Sequence, residues 1–231
     1  MFVSENEEYE KIWQDVKTVM PSDSRILITG ANGLIASNIV DTLMYFNWRY
    51  DLNNQVWALC RNYEKAKKRF ASYIDSSQFG IVAQDITQLD IADSCEYIIH
   101  AASNAHPLAY STKPIETMET NLIGTMKVLE YACDKKVKQM VYVSTSEVYG
   151  EGHQNSKLKE EEFGSVNTLN PRSCYAESKR CAETLCVCYA KMNDLDVKVV
   201  RPGYIYGAQI TSENSRADAQ FLRNAIERKI L

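Results

Sequence analysis

The chain has 231 residues, enough for one large α/β domain with a sizeable core. Its 26 lysines and arginines stand against 30 aspartates and glutamates, so the formal net charge is −4. This balance provides no broad basic field, and we therefore expect neither nucleic acid nor a membrane surface as partner. A small molecule is the expected substrate.

Cysteine usage and the absence of long apolar runs bear on the compartment. The seven cysteines form no Cys-x-x-Cys pair and no Cys/His cluster, so the sequence predicts neither a metal site nor a disulfide framework. The acidic start lacks the apolar core of a signal peptide, and no stretch approaches the ~18 apolar residues of a membrane span. We expect a cytoplasmic protein with reduced thiols.

A short amphipathic segment precedes the main domain. Apolar residues between positions 4 and 20 recur at the spacing of one helical face, and Pro21 then ends the pattern. We expect an N-terminal helical extension over residues 1–22, packed on the outside of a dinucleotide-binding domain over residues 23–231.

A buried strand over residues 25–29 runs directly into a glycine-rich turn with the spacing Gly30-x-x-Gly33-x-x-Ala36. The apolar residues that follow have helical spacing. Glycines let a backbone approach a pyrophosphate, and a helix N-terminus offers free N–H groups and the positive end of a dipole. An ordinary tight turn is the alternative. As a dinucleotide site, the candidate residues are Gly30, Asn32, Gly33, Leu34 and Ile35.

The second predicted strand covers residues 55–60, and the residue at its end is the one that distinguishes NAD from NADP in dinucleotide-binding proteins. In NAD binders an acidic residue there holds the ribose hydroxyls, whereas a basic residue accommodates the 2′-phosphate of NADP. Here Arg61 follows the strand, and four more basic residues lie within 65–69. The sequence therefore favours NADP or tolerance of both cofactors. For the four later charges, a solvated helix face is an equal alternative.

Two further strands are predicted over residues 79–84 and 95–100. The first ends at Asp85 and Ile86, a carboxylate and an apolar side chain that can flank an adenine ring. His100, at the end of the second, is predicted to be a structural hydrogen-bonding group rather than a general base. After it come small residues that would let a backbone lie close to a cofactor, namely Ala101, Ala102 and Ser103.

The next segments complete the predicted sheet. The apolar residues of the helical segment 114–136 exceed one narrow stripe, so we expect it to be buried against both the sheet and a partner. Strands are predicted over 139–143 and 196–201, and the alternation of strands and helices predicts an α/β fold with a doubly wound parallel sheet ordered 3-2-1-4-5-6. The fifth strand leads into polar side chains where open α/β sheets bind ligands, namely Ser144, Thr145, Ser146 and Glu147.

Tyr175 and Lys179 are spaced one helical turn apart in a segment that starts after Pro171. A phenol titrates near ~10 in water, and a neighbouring ammonium favours its ionised form. Such a tyrosine can take a proton from a substrate hydroxyl or return it to a carbonyl. Because Tyr-x-x-x-Lys also occurs by chance in helices, the pair gains meaning only together with the hydroxyls after the fifth strand.

Six motifs occur in one order, which is more specific than any of them alone. They are Thr29-Gly30-x-x-Gly33-x-x-Ala36, His100-Ala101-Ala102, Asn121-x-x-Gly124-Thr125, Ser144-Thr145-Ser146-Glu147-Val148-Tyr149-Gly150, Tyr175-x-x-x-Lys179 and Arg201-Pro202-Gly203-x-x-x-Gly207. Together they resemble the extended short-chain dehydrogenase/reductases, in the NAD-dependent epimerase/dehydratase family that acts on nucleotide sugars. The resemblance covers residues 24–230 and is strongest to the UDP-glucuronate decarboxylases.

The resemblance implies an NAD(P)-binding Rossmann fold, with NAD as the cofactor and NADP possible because of Arg61. It implies that Tyr175 is the acid/base and that Lys179 holds the nicotinamide ribose and lowers the phenol's pKa. Thr145 would hydrogen-bond the sugar's 4-hydroxyl, and Asn121 would support the helix that carries Tyr175. Implied cofactor contacts are Gly30 and Gly33 for the pyrophosphate, Asp85 and Ile86 for the adenine, and Pro202 and Gly203 for the nicotinamide end.

The family chemistry implied is oxidation of a sugar at C4, a reaction that the new ketone enables, and return of the hydride. A 4,6-dehydratase expels the C6 hydroxyl with an Asp-Glu pair, and Ser146 replaces that aspartate here beside Glu147. A uronic acid oxidised at C4 carries its carboxylate β to the ketone, so loss of carbon dioxide needs no leaving-group acid. The sequence therefore favours decarboxylation of a UDP-uronic acid, while a 4-epimerase remains open.

Family members usually continue into a C-terminal part that grips the nucleotide sugar, whereas this chain stops at Leu231 within or just after a predicted helix. We therefore expect the substrate domain to be largely absent. The chain would be either a piece of a longer enzyme or a shortened dinucleotide-binding module without turnover. The family also implies a homodimer in which helices 114–136 and 172–192 form a four-helix bundle with the partner; intradomain packing alone is the alternative.

Overall fold

Six short strands pair side by side in one parallel sheet. The computed structural model describes residues 7–152, 157–207, 221 and 224–227. Its strands are β1 (Arg25–Thr29), β2 (Gln55–Cys60), β3 (Phe79–Ala83), β4 (Tyr97–His100), β5 (Gln139–Val143) and β6 (Val197–Val200). They are ordered β3-β2-β1-β4-β5-β6, and every pairing is parallel. This confirms the predicted doubly wound sheet of the Rossmann type, with its switch point between β1 and β4.

In the described part of the chain, the helices that flank the sheet are α1 (Glu7–Val16), α2 (Leu34–Tyr50), α3 (Tyr63–Arg69), α4 (Pro107–Thr112), α5 (Pro114–Asp134) and α6 (Cys174–Asn193). Helix α4 is absent from the sequence prediction; His106 caps it by accepting from the N–H of Ala109, and Pro107 begins it. Strands β3, β4 and β6 are one or two residues shorter than predicted. No helix in the described part of the chain is long and apolar enough to cross a membrane.

The two faces of the sheet have separate apolar cores. Along β1, Ile26 and Ile28 belong to the cluster on the α2 and α3 side, whereas Leu27 belongs to the cluster on the α5 and α6 side. This alternation follows from the period of two in a strand. Because both faces are covered, the strands are continuous apolar runs, and the polar groups concentrate at the strand ends.

Helix α1 lies on the outside of α2. The Trp13 ring stacks on Tyr50 with ring centroids 3.8 Å apart, and Glu10 accepts hydrogen bonds from Tyr45 at 2.8 Å and Tyr50 at 2.5 Å. The helix ends at Val16, before the predicted limit near residue 20. Its predicted start at residue 4, and part of the predicted helix at the chain end, lie outside the described residues.

Candidate functional site

A groove runs along the carboxyl ends of the strands, across the switch point. It consists of two cavities that share Gly30 and Ser103 on their walls. The first contains residues predicted to act at the reacting end, namely Thr145, Tyr175, Lys179, Pro202 and Gly203. The second contains Arg61 and Ile86, predicted at the adenosine end, and Ala102, predicted to let the backbone lie close to a cofactor. The predicted dinucleotide residues Asn32, Gly33, Leu34, Ile35 and Ala101 line one cavity or the other.

The turn after β1 approaches the loop after β4 so closely that only glycine fits. Gly30 has φ +67°, and a Cβ at this position would lie 2.7 Å from the Cα of Ala102. Thr29 holds the two segments together, because its Oγ1 accepts from the N–H groups of Ala101 and Ala102, each at 3.2 Å. Backbone therefore forms the floor of the groove at the point where both cavities meet.

The start of α2 has the properties of an anion site. Gly33 is its N-cap without a side-chain cap, the first turn holds no acidic residue, and Gly33 to Ala36 all line the first cavity. The first N–H groups of a helix have no intrahelical acceptor, so they are available to a ligand. In the same cavity, the buried Oγ of Ser144 has no hydrogen-bond partner among the described residues. These features fit the pyrophosphate of a dinucleotide.

Lys179 is fully buried on α6 and points at the end of β5. Its Nζ donates to the carbonyl oxygen of Val143 at 2.8 Å and lies 4.7 Å from the ring centroid of Tyr142. Burial lowers the pKa of this lysine from 10.5 to about 7. The ammonium is thus fixed in the wall of the first cavity, at a substantial cost in desolvation.

Tyr175 lies one turn before Lys179 and lines the same cavity. Its side chain is 5% exposed and stacks on Tyr110 of α4, with ring centroids 5.2 Å apart. The guanidinium of Arg172 lies over the ring of Tyr110, 4.1 Å from its centroid. Tyr110 was not singled out from the sequence; the His106-Pro107 start of a short helix is the only local signal for it.

Asn121 lies behind the groove rather than on its wall. It is completely buried, accepts from the Oγ of Ser103 at 2.7 Å and donates to the Oγ of Ser178 at 2.9 Å. One side chain of α5 therefore connects the loop after β4 to α6, which carries Tyr175. The supporting role that the family resemblance implies for Asn121 stays a prediction.

The predicted Thr145, Ser146 and Glu147 do not stay together. Thr145 lines the first cavity, and its Oγ1 accepts from the N–H of Glu147 at 3.3 Å, which starts a 3-10 turn over Ser146–Tyr149. The turn directs Glu147 to a neighbouring cavity, where its carboxylate pairs with Arg172 at 2.9 Å. Ser146 is absent from the described walls of the first cavity, and its N–H donates to the carbonyl oxygen of Pro202 at 3.0 Å.

At the adenosine end, Asp85 and Ile86 separate in a similar way. Asp85 caps a short 3-10 turn by accepting from the N–H of Thr87 at 2.8 Å and from its hydroxyl at 2.7 Å. These hydrogen bonds lower the pKa of the carboxyl, mainly through the Thr87 hydroxyl. Ile86 alone of the two lines the second cavity. Asp85 therefore holds the turn that presents Ile86 to the groove.

His100 has the structural role predicted for it. Its Nδ1 lies 2.6 Å from the Oγ1 of Thr29 and its Nε2 lies 3.0 Å from the Oγ1 of Thr125. Burial, with a smaller contribution from Lys179, lowers the pKa of His100 to about 3. The ring is therefore neutral at physiological pH and bridges β1 to α5.

The chain matches the family model described as "NAD dependent epimerase/dehydratase family" over residues 26–230. UDP-glucuronic acid decarboxylase 6 of Arabidopsis thaliana is 32% identical over 211 residues, which are 91% of this chain and 59% of that protein. UDP-glucuronic acid decarboxylase 1 of Xenopus tropicalis is 33% identical over 88% of this chain and 46% of its own length. The chain thus spans about half to three-fifths of the curated relatives it matches.

Two solved structures illustrate the likeness of the fold. A DesIV double mutant (dTDP-glucose 4,6-dehydratase) from Streptomyces venezuelae, with NAD and DAU bound, has a TM-score of 0.75 at 26% identity and is matched over 90% of this chain and 63% of its own. UDP-N-acetylglucosamine 4-epimerase from Methanobrevibacter ruminantium M1 has a TM-score of 0.76 at 22% identity, over 90% and 64% of the two chains. With the family model covering most of its length, the chain belongs to the NAD-dependent epimerase/dehydratase family.

Proposed function

We propose that this protein is an NAD-dependent enzyme that removes carbon dioxide from a UDP-uronic acid. The observation that carries the proposal is that an uncapped helix start and the side chains of Thr145, Tyr175 and Lys179 line one cavity. The reaction is supported by relatives that are UDP-glucuronic acid decarboxylases at 30% identity or more.

The groove would hold the dinucleotide along its whole length. Gly30, Gly33 and the first N–H groups of α2 would bind the pyrophosphate, and Ile86 would lie against the adenine. Lys179 and the Pro202–Gly203 segment would hold the nicotinamide end. When bound, the cofactor supplies a hydride acceptor for the sugar's C4 and later returns that hydride.

The side chains of the first cavity would move the proton. Thr145 would orient the 4-hydroxyl of the sugar, and Tyr175 would take its proton as C4 is oxidised. A cation on Lys179, one helical turn away in the same cavity wall, would favour the anionic phenolate that this step requires. Once C4 is a ketone, the C5–C6 bond of a uronic acid can break, its electrons forming an enolate as carbon dioxide leaves. A proton from solvent would then add to C5, and Tyr175 would return its proton to the C4 oxygen as C4 is reduced.

The environment of Glu147 argues against dehydration as the outcome. Expulsion of a C6 hydroxyl needs an acid beside it, and the carboxyl group of Glu147 instead pairs with Arg172 in a neighbouring cavity. Ser146 offers no acid either. Decarboxylation needs none, because the ketone itself accepts the electrons released with carbon dioxide.

The identity of the product tests this proposal. We expect protein incubated with UDP-glucuronate and NAD to form a UDP-pentose, with loss of carbon dioxide and without net reduction of the dinucleotide, as read by mass spectrometry. A product of unchanged mass with inverted C4 would indicate an epimerase instead, and loss of water would indicate a dehydratase. Unchanged substrate in the presence of bound NAD would contradict catalysis by this chain and favour a dinucleotide-binding module.

We further propose that the protein is a homodimer formed through α5 and α6. Exposed apolar side chains on both helices support this, including Met118 and Ile123 on α5 and Val187 and Met192 on α6. Leu185 of α6, by contrast, packs against the intradomain core. We expect light scattering to give a dimer for the wild type and a monomer for Val187→Glu. The matched variant Val19→Glu changes another exposed valine, away from these helices, and should remain dimeric; a monomeric wild type would contradict the proposal.

Two further proposals concern the N-terminal residues and the cellular location of the protein. We propose that residues 1–22 are an extension of the dinucleotide-binding domain, which the packing of α1 on the outer side of α2 supports. We propose a cytoplasmic location, supported by seven cysteines that are all unpaired.

A further inference from the structure

Glu116, in the first turn of α5, holds Arg61 at the adenosine end of the groove. The Nη1 of Arg61 donates to Oε1 of Glu116 at 2.8 Å, and its Nη2 donates to the side-chain oxygen of Asn104 at 3.3 Å. The other carboxylate oxygen of Glu116 pairs with the Nζ of Lys113 at 3.0 Å. Asn104 also donates to Oε1 of Glu116, at 3.4 Å. Four side chains from three segments thus form one ionic cluster, in which the guanidinium already has acceptors.

This cluster changes what Arg61 offers to a ligand. A basic residue after the second strand favours NADP because its charge meets the 2′-phosphate. Here a 2′-phosphate that reaches Arg61 also meets the carboxylate in contact with it. Hydrogen bonds from Arg61 and then from Lys113 lower the pKa of Glu116 to about 2, so its negative charge persists at every practical pH. A ribose hydroxyl carries no charge and meets no such repulsion.

The surrounding lysines do not remove this effect. Lys65 lines the same cavity and Lys113 pairs with the carboxylate, so the adenosine end carries positive charge besides Arg61. Without Glu116 these charges would attract a phosphate strongly. With it, the charge closest to Arg61 is negative, and charge repulsion is strongest between contacting groups.

We infer that Glu116 makes this groove select NAD over NADP. The inference rests on the proposed dinucleotide site and adds to it a residue, 55 positions from Arg61 in the chain, that sets the cofactor preference. Glu116 acts here through Arg61, so it is a positioning and charge-setting residue rather than a catalytic one.

The test is calorimetric titration of the purified protein with NAD and with NADP at one fixed ionic strength. We expect the wild type to bind NAD more tightly, and Glu116→Gln to improve the NADP affinity relative to NAD about ten-fold, the size expected for one charge close to a phosphate. Glu119→Gln, one turn further along the same helix at an exposed position, removes the same charge and should leave the ratio unchanged. The double variant Arg61→Gln/Glu116→Gln should lose the gain.

Each other outcome counts against the inference. An unchanged NADP/NAD ratio in Glu116→Gln, with NAD still bound, would overturn the role of Glu116 and leave the proposed function intact. An equal gain in Glu119→Gln would reduce the effect to net charge and also overturn it. If the wild type prefers NADP, the inference is wrong although the groove binds dinucleotides. If neither cofactor binds, the proposed dinucleotide site fails and the inference falls with it.

Discussion

Replacing Tyr175 by phenylalanine is expected to lower turnover of UDP-glucuronate about a thousand-fold, a loss typical of removing a general acid/base. The phenol oxygen is the only atom deleted, and the ring can keep its stacking on Tyr110, 5.2 Å away between centroids. We therefore expect the fold and the affinity for NAD to stay within about three-fold of the wild type. Steady-state rates of the wild type and the variant measure the loss of turnover, and a parallel titration with NAD measures the affinity.

Tyr110→Phe is the matched control for this prediction. It also removes one phenol oxygen, which accepts from Arg172 at 3.2 Å, and it preserves the same pair of stacked rings. We expect a loss of less than about ten-fold, because no proton transfer is assigned to it. If Tyr175→Phe kept more than a tenth of the activity, or if the two variants lost equally, Tyr175 would not be the acid/base.

Lys179→Met is expected to make the cofactor-free protein more stable while abolishing turnover. Burial of the ammonium lowers the pKa of Lys179 from 10.5 to about 7, so charging it in the folded state is costly. Removing the charge should raise the free energy of unfolding at pH 7 by about 2–4 kcal/mol, after allowance for the lost bond to Val143. Urea denaturation of both proteins without cofactor measures the change.

The pH dependence gives this prediction a second readout. Because the folded pKa of Lys179 lies below its unfolded value, the unfolded chain binds the extra proton between pH 7 and pH 10.5. The contribution of this group to stability therefore rises with pH in that window, by about 1.4 kcal/mol per pH unit. The difference between Lys179→Met and the wild type should shrink from pH 7 to about pH 8.5 at that rate.

Lys127→Met provides the control, because Lys127 is a half-exposed lysine that pairs with Glu130 on the helix surface. We expect it to leave the stability close to that of the wild type and to add no pH dependence in this window. A Lys179→Met protein that is less stable than the wild type at pH 7 would show that the ammonium stabilises the fold, contrary to the cost of its burial.

The sheet could be predicted from the sequence because its signals are local. Each strand is a short apolar run bounded by polar or turn residues, and the alternation with helices leaves few possible strand orders. The glycine turn was predictable for the same reason, since Gly30 and Gly33 are adjacent to β1. Helix α4 was missed because a helix of six residues is too short to show a detectable apolar periodicity.

The electrostatics of the site could not be predicted in the same way. Arg61 and Glu116 are 55 residues apart, and Tyr110 and Arg172 are 62 residues apart. Their contacts depend on how α4 and α5 pack beside the strand ends. From the sequence, Arg61 was therefore expected to be available to the 2′-phosphate of NADP. In the fold it is hydrogen-bonded to the carboxylate of Glu116.

Local hydrogen bonding explains why neighbouring motif residues do not line the same cavity. Thr145 and Asp85 each accept from the backbone N–H two residues further on, and each starts a 3-10 turn. Such turns rotate successive side chains away from one another. In each pair only one residue therefore lines the groove: Thr145 but not Glu147, and Ile86 but not Asp85.

Oxidation at C4 can be observed directly in the absorbance of the protein with bound NAD after UDP-glucuronate is added. We expect a transient rise in the reduced-nicotinamide band, because C4 is oxidised before carbon dioxide is lost and is reduced again afterwards. The rise should be absent in Tyr175→Phe. Stable binding of both NAD and UDP-glucuronate with no reduction at any time would contradict oxidation at C4, and with it the roles assigned to Thr145, Tyr175 and Lys179.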